Sequence, residues 1–308
     1  MSSYQLMSVI IPTFNSEKFI RDCLSALIAQ KSPISYEIVV VDSGTDNTKN
    51  ICMEYGVRYF YCKQCNSAGL ARNFGIKQAR GEIIAFLDVD CIIPENWFQR
   101  IIDTFNEHPE IVGILGYYSG GKDLIQKVLN EEFSNKKIIG FHEGFREGNA
   151  VFKKRVFDQG CKFGEFKWSE GNVLIRQINE LGYETLLDPS FRVTHLSSVT
   201  LRKYFAGGKS YVHNSRRYFG NFKRSLVIPL AIIASIVTII FFFFTGIVFF
   251  LSPFIFLNLF FLFHILKQQS TPRKYLLLCA PYLLLTKWIF WSGFLFETLR
   301  YFIKGNIA

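Results

Sequence analysis

Between residues 225 and 266 the chain has no Asp, Glu, Lys or Arg at all. An uncharged run of that length excludes an ordinary soluble domain at this place. A bilayer core takes ~20 apolar residues per helix, so the run is long enough for two spans, and an integral membrane protein is expected. A signal-peptide pattern is also missing: Met1 to Leu6 is polar, and the apolar run after it ends at Pro12, shorter than a signal core. The chain ahead of the apolar region is therefore expected to stay in the cytosol. Internal repeats and low-complexity linkers are absent too. Cysteine is sparse and odd in number, seven residues: Cys23, Cys52, Cys62, Cys65, Cys91, Cys161 and Cys279. In the cytosol most of them stay reduced. Cys62-Lys63-Gln64-Cys65 has redox or zinc spacing, but it lacks the second such pair that a four-ligand structural zinc needs.

What the chain has in excess is aromatic residues, 17% of the 308, with 33 Phe, and a formal net charge of +10. A basic balance admits nucleic acid as a partner. Many of these cations, however, sit just before and between the apolar segments, where the positive-inside rule and anionic lipid account for them. No nucleic acid is expected; membrane lipids are.

The first part of the chain alternates strand and helix patterns. Val9-Ile10-Ile11 reads as a buried strand ended by Pro12, with Asn15 or Ser16 as the N-cap of the next helix. Phe19, Ile20, Cys23, Leu24, Leu27 and Ile28 follow at helical spacing. Glu37 to Val41 is a second buried strand, and the cluster Asp42-Ser43-Gly44-Thr45-Asp46-Asn47-Thr48 a turn into a helix ending near Tyr55. Val57 to Tyr61 is a weaker strand; Ser67 to Arg80 a helix with Gly81 as its C-terminal cap. The run Ile83-Ile84-Ala85-Phe86-Leu87, buried on both faces, leads into Asp88-Val89-Asp90. Pro94 to His108 reads as a helix, Ile111 to Tyr118 as a strand and Lys122 to Lys137 as a mixed-charge surface helix. Gly148 to Phe152 is a short strand, Ser169 to Leu181 a helix, and Glu184 to Leu187 and Arg192 to His195 two closing strands. This alternation predicts an α/β fold with a doubly wound, mostly parallel sheet.

Residues 201–224 interleave cations with aromatics, which suits an interfacial helix broken near Gly207-Gly208. Leu226 to Thr245 and Ile247 to Leu266 read as two spans joined near Gly246. For Tyr275 to Phe296, with Lys287 mid-way, a third span and a re-entrant or interfacial segment both fit. The expected organisation is thus a cytosolic domain over 1–200, a juxtamembrane helix over 201–224 and a membrane domain over 225–308 with two or three spans. The expected location is the cell membrane, multi-pass.

Open α/β sheets bind ligands beyond the carboxyl ends of their strands. Asp88 and Asp90, on alternate residues at such an end, can share one hard divalent cation or divide between metal and sugar. Four segments taken in order then resemble the family 2 glycosyltransferases, enzymes of the GT-A fold that use nucleotide sugars. They are Ser8 to Asn15, like the family's opening strand and turn; Val41 to Thr48, like its second-strand turn; Gly69-Leu70-Ala71-Arg72-Asn73, like its A-R-N helix; and Phe86 to Asp90, like its D-x-D motif. The resemblance covers residues 8 to about 200 and implies a GT-A nucleotide-sugar-binding sheet.

It also implies roles. Pro12, Thr13, Asn15, Asp42, Arg72, Asp88 and Asp90 would bind the donor, with Asp42 on the base of a uracil or guanine nucleotide and Arg72 on the diphosphate. Asp90 would hold Mn2+ or Mg2+, with Asp88 contacting the ribose or sugar or supporting the metal, and His195 completing the metal shell. Glu170, six residues before Arg176 where the family carries an E-D pair, would be the general base of an inverting displacement. Asn149 and Phe152 resemble the acceptor-side G-N-A element, and Trp168 either stacks on a sugar or packs in the core. The chain departs from the family at the Asp42 turn, which is one residue short, and at Ser169-Glu170-Gly171, which is not E-D. The Q-x-x-R-W motif of processive synthases is absent, so a single transfer is expected. The expected partners are a nucleotide-diphosphate sugar, UDP-sugar favoured, and a hydroxyl of a lipid-linked or membrane-proximal acceptor. A polyprenyl-phosphate sugar synthase and a non-catalytic scaffold of a glycan-assembly complex are the alternatives.

Overall fold

In a computed structural model of the chain, residues 4–120, 138–140, 147–165 and 170–197 are described, with Phe205, residues 255–260 and short helical pieces between 284 and 297. The chain divides into two units, 1–122 with 135–197, and 123–134 with 198–308.

The first unit is built on strands whose residues are apolar on both faces. β1 (Leu6–Thr13), β2 (Ser35–Asp42), β3 (Arg58–Tyr61) and β4 (Ile83–Leu87) alternate with helices α1 (Glu17–Ile28), α2 (Thr48–Glu54) and α3 (Ala68–Gln78). There follow β5 (Cys91–Ile92), α4 (Trp97–Glu107), β6 (Gly113–Ser119), β7 (Ile138–Gly140), β8 (Asn149–Lys153), α5 (Arg155–Asp158), α6 (Gly171–Glu180) and β9 (Thr185–His195). The nine strands form one sheet in the order β3-β2-β1-β4-β8-β6-β9-β5, with β7 also paired to β9.

The sheet is mixed, not mostly parallel. β3, β2, β1 and β4 run parallel, whereas β8 is antiparallel to both β4 and β6, and β5 and β7 are antiparallel to β9. Periodicity within a strand reports which faces it buries, not the direction of its neighbour, so this half was misread. The two closing strands are joined in one extended segment, β9, whose pairing with β6 is interrupted between them: Leu115 pairs with Leu187 and Tyr117 with Arg192, so the extra residues lie on β9 around Asp188-Pro189. β1 does not stop at Pro12. Its pairing with β4 ends at Ile10, so the strand is one-sided where the proline's missing N–H stands. Nor does Gly81 cap α3, which ends at Ala79 in an extended conformation. A Cβ at Gly81 would lie 2.6 Å from the Ser8 nitrogen, so the glycine is there for close approach to β1.

Each face of the sheet carries its own core. α1 contributes Ile20, Cys23, Leu24 and Leu27 and α4 contributes Trp97, Phe98, Ile101, Ile102 and Phe105 to one face. Phe86, Phe152, Phe157 and Phe163, with Leu174, Ile175 and Ile178 of α6, fill the other. Each fully buried side chain of this size is worth about 1.5–3 kcal/mol, which holds the strand ends in fixed relation.

Of the second unit, 255–260 are helical, Leu257 and Phe294 are buried, and Trp288 Nε1 donates to Asn258 Oδ1 at 3.1 Å. Among the described residues no helix is long and apolar enough to cross a membrane. The expected helix over 122–137, the interfacial helix over 201–224 and most of the expected spans lie outside the described residues.

Candidate active site

The carboxyl ends of β1, β2 and β4 converge, and the residues just beyond them form three linked clusters. In the first, parallel register sets Thr13 beside Asp42. Asp42 is buried and fully engaged: Oδ1 accepts from Thr13 Oγ1 at 2.9 Å and from the Gly44 N–H at 3.0 Å, and Oδ2 accepts from Tyr59 OH at 2.8 Å. Burial, then this carboxylate, pushes the Tyr59 phenol up. Asn15 holds a left-handed φ of 50° and accepts from the Thr45 N–H at 2.9 Å. A Cβ at Gly44 would come within 2.4 Å of the Asn15 nitrogen, so the two turns interlock only with glycine there. Capping of α2 falls to Asp46, whose Oδ1 accepts from the Thr48 N–H and hydroxyl at 3.1 and 2.6 Å. Cys62 and Cys65, in the loop from β3 to α3, are disulfide-bonded, and the Cys62 N–H donates to the Asp42 carbonyl at 2.7 Å.

The second cluster centres on Arg72. Ser67 caps α3 by accepting from the Leu70 N–H at 3.2 Å, and the helix then delivers Arg72 into the interior, 2% exposed. One guanidinium nitrogen meets Asp88 Oδ1 at 2.8 Å and another meets Glu170 Oε1 at 2.7 Å, while the plane lies over the Phe163 ring at 5.3 Å. Asp88 Oδ2 accepts from Tyr118 OH at 2.6 Å. Burial alone would lower the guanidinium's pKa, but Asp88, Glu170 and Glu147 outweigh it and keep Arg72 charged. Glu147 Oε1 accepts from the Gly171 N–H at 3.2 Å. Burial and then Glu170 push its carboxyl up to about 7, against the pull of Arg72.

The third cluster arises because β5 pairs Cys91 with His195. This sets Asp90 Oδ2 3.4 Å from His195 Nε2, with Cys91 Sγ in the same group of potential ligand atoms, all within 4.8 Å of one another. His195 is oriented by Nδ1 against the Ser197 carbonyl at 3.0 Å and by stacking on Tyr118, centroids 4.6 Å apart. Burial, then Asp88 and Asp90, pushes the Cys91 thiol up; Asp90 and His195, with Cys91 beside them, are the residues here that could hold a divalent cation.

A family model described as glycosyl transferase family 2 matches residues 8–166, about half of the chain. This chain belongs to glycosyl transferase family 2. Among relatives of this family 2 glycosyltransferase, the minor teichoic acid biosynthesis protein GgaB of Bacillus subtilis is 31% identical over 180 residues, 51% of this chain and 20% of its own length. Glycosyltransferase AglE of Haloferax volcanii is 38% identical over 112 residues, 34% of this chain and 37% of its own. The match thus spans well under half the length of either relative. Among solved structures, the mannosyltransferase PcManGT of Pyrobaculum calidifontis, in complex with GDP-Man and Mn2+, has a TM-score of 0.59 at 16% identity, covering 96% of this chain and 86% of that one. S. aureus TarS 1-349 in complex with UDP has a TM-score of 0.52 at 18% identity, covering 98% and 92%. At such identities the likeness is one of fold, a GT-A-like α/β arrangement with a mixed sheet.

In this glycosyltransferase the structure gathers Arg72, Asp88 and Glu170 into one network and Asp90 with His195 into another. Asp88 is not in the Asp90, Cys91 and His195 group; its two oxygens accept from Arg72 and Tyr118. Asn149 does not face an acceptor. It is fully buried, its Nδ2 donating to the Tyr117 and Phe191 carbonyls at 3.1 and 2.8 Å and its Oδ1 accepting from Trp97 Nε1 at 3.2 Å. Phe152 is likewise core, packed on Phe86. Trp168 lies outside the described residues. Glu170 stands at the head of α6 as expected, but it is buried with one oxygen on Arg72. Sequence reasoning missed Tyr118, Phe163 and Glu147. Only Glu147 left a signal, an acid in the turn just before β8.

Proposed function

We propose that this family 2 glycosyltransferase is an inverting, divalent-metal-dependent enzyme that moves one sugar from a nucleoside-diphosphate sugar, UDP-sugar favoured, to a hydroxyl of a lipid-linked or membrane-proximal acceptor. The observation that carries the reading is the buried Arg72–Asp88–Glu170 network beside the Asp90–His195 pair, at the carboxyl ends of adjoining strands. The turn holding Thr13, Asn15 and Asp42 is the corresponding place for the nucleotide base, with Asp42 already committed to internal donors and so acting by fixing the turn's shape. Mn2+ or Mg2+ held by Asp90 and His195 would neutralise charge on the leaving nucleoside diphosphate. The acceptor oxygen attacks the anomeric carbon from the face opposite the diphosphate, and a carboxylate of the Arg72 network takes its proton; by sequence that carboxylate is Glu170. The uncharged run 225–266 and the cations ahead of it support membrane attachment at the cytosolic face and an acceptor that arrives from the lipid side.

A second reading, a polyprenyl-phosphate sugar synthase, is favoured by the hold of Arg72 on Glu170, since an anionic phosphate acceptor needs no base. The test is a panel of UDP- and GDP-sugars with the full chain, Mn2+ and membrane lipid extract, reading sugar transferred into lipid. A product stable to mild acid carries the hydroxyl reading; a glycosyl phosphate, labile to mild acid, carries the second. Asp90→Ala is expected to abolish metal-dependent transfer, and full activity in that variant would overturn the metal reading.

A further inference from the structure

Among the described residues the charges around Arg72 do not balance. Asp88, Glu170 and Glu147 surround one guanidinium, and its ion pairs at 2.8 and 2.7 Å engage only Asp88 and Glu170. Glu170 Oε1 is committed to a charge-assisted bond with the Arg72 guanidinium. Among the described residues Glu147 has no such tie. Its Oε1 accepts one backbone N–H, that of Gly171 at 3.2 Å, which leaves a carboxylate lone pairs to spare. Gly171 brings no side chain of its own to the head of α6, at the place where Ser169-Glu170-Gly171 departs from E-D. We infer that Glu147 is the catalytic base that takes the acceptor hydroxyl's proton, with Glu170 acting as the positioning residue that fixes Arg72.

The inference rests on the hydroxyl-acceptor reading proposed above. In the step, the acceptor O–H bond breaks toward Glu147 as its oxygen bonds to the anomeric carbon. The anomeric carbon–oxygen bond to the diphosphate breaks with its electron pair leaving on the nucleoside diphosphate, and Glu147 later returns the proton to water. The groups facing Glu147 are Glu170 at the helix head, Arg72 from α3 and Asp88 beyond β4; burial, then Glu170, sets its carboxyl at about 7, where a base works best at neutral pH.

Glu147→Gln tests it, because the amide oxygen still accepts the Gly171 N–H and the helix head survives. With the full chain, Mn2+, membrane lipid extract as the source of acceptor and UDP-glucose, UDP-N-acetylglucosamine or GDP-mannose as donor, nucleoside diphosphate release is followed against pH alongside binding of UDP. Expected are a kcat lower by about 100- to 10,000-fold, unchanged UDP affinity, and loss of the wild-type decline in kcat below about pH 7. Wild-type kcat and pH profile in Glu147→Gln, or equal losses of UDP affinity and kcat, would overturn the inference. A Glu170→Gln variant that alone abolishes the acidic limb would also overturn it while leaving the hydroxyl reading standing. If the wild-type chain transfers sugar from none of these donors, the proposed hydroxyl-acceptor reading falls, and this inference with it.

Discussion

Replacing Arg72 by Met keeps much of the side chain's volume and its packing on Phe163 but removes the charge. Asp88 Oδ1 and Glu170 Oε1 then lose partners at 2.8 and 2.7 Å. The two losses are unequal. The Asp88 side chain is 28% exposed and keeps the Tyr118 hydroxyl, whereas the Glu170 side chain is 9% exposed. Breaking a buried pair costs about 3–5 kcal/mol, and Glu170 supplies most of it here because water screens Asp88. For a unit of this size each kcal/mol moves Tm by about 2–4 °C, so Tm falls by about 6–20 °C at pH 7.5. The stranded carboxylates bind protons more readily in the folded variant than in its unfolded chain, so its stability recovers as pH falls and the deficit narrows by pH 5. Arg72→Met combined with Glu170→Gln removes the costlier orphan and is expected to recover about half the loss, a coupling that a double-mutant cycle reads directly. Thermal melts followed by circular dichroism at both pH values are the assay. A variant within about 1 kcal/mol of wild type at pH 7.5, or a deficit that grows on acidification, would refute the reasoning.

Glu147→Gln should stabilise the fold at alkaline pH. The folded carboxyl sits at about 7 against an ordinary 4.5, so the wild type loses stability as pH rises between those values, on the order of 3 kcal/mol in all; melts at pH 8 should favour the variant and melts at pH 4 should not. Gly148→Ala would place a Cβ 2.0 Å from the Asp88 Cγ, and is expected to push Asp88 off Arg72 and weaken UDP-sugar binding by tenfold or more, read by calorimetry with Mn2+. Asn149→Ala removes the amide that the Phe191 carbonyl accepts from and the oxygen that the Trp97 indole N–H donates to; with each buried orphan costing about 1–3 kcal/mol, urea unfolding should show a loss of roughly 2 kcal/mol or more.

The parallel half of the sheet was legible because each strand there is a short apolar run closed by a polar turn, Ile11 into Asn15, Val41 into Asp46 and Leu87 into Asp90. The alternation with amphipathic helices then admits few topologies. The rest was not, because direction of pairing is a tertiary property: nothing in Asn149–Lys153 says that its neighbours on both sides run the other way. The site divides along the same line. Asp88, Asp90 and Arg72 announce themselves by position within local motifs. Asn149 was placed on the acceptor side by its likeness to the G-N-A element, and a local motif carries no information on the internal partners that Trp97, Tyr117 and Phe191 supply.

Glu147 was missed for the opposite reason: no motif surrounds it, and its chemistry comes from groups far away in the chain. Arg72, Asp88 and Glu170 become its neighbours only once α3, β4 and the head of α6 have been brought together. A single guanidinium among these carboxylates cannot compensate them all in a site largely closed to water. One carboxylate is therefore left able to gain and lose a proton near neutrality, and the hydrogen bonds decide which. Arg72 holds Asp88 and Glu170 directly, and among the described residues a backbone amide alone holds Glu147. The acid–base capacity of the site thus falls to the carboxylate the motifs do not mark.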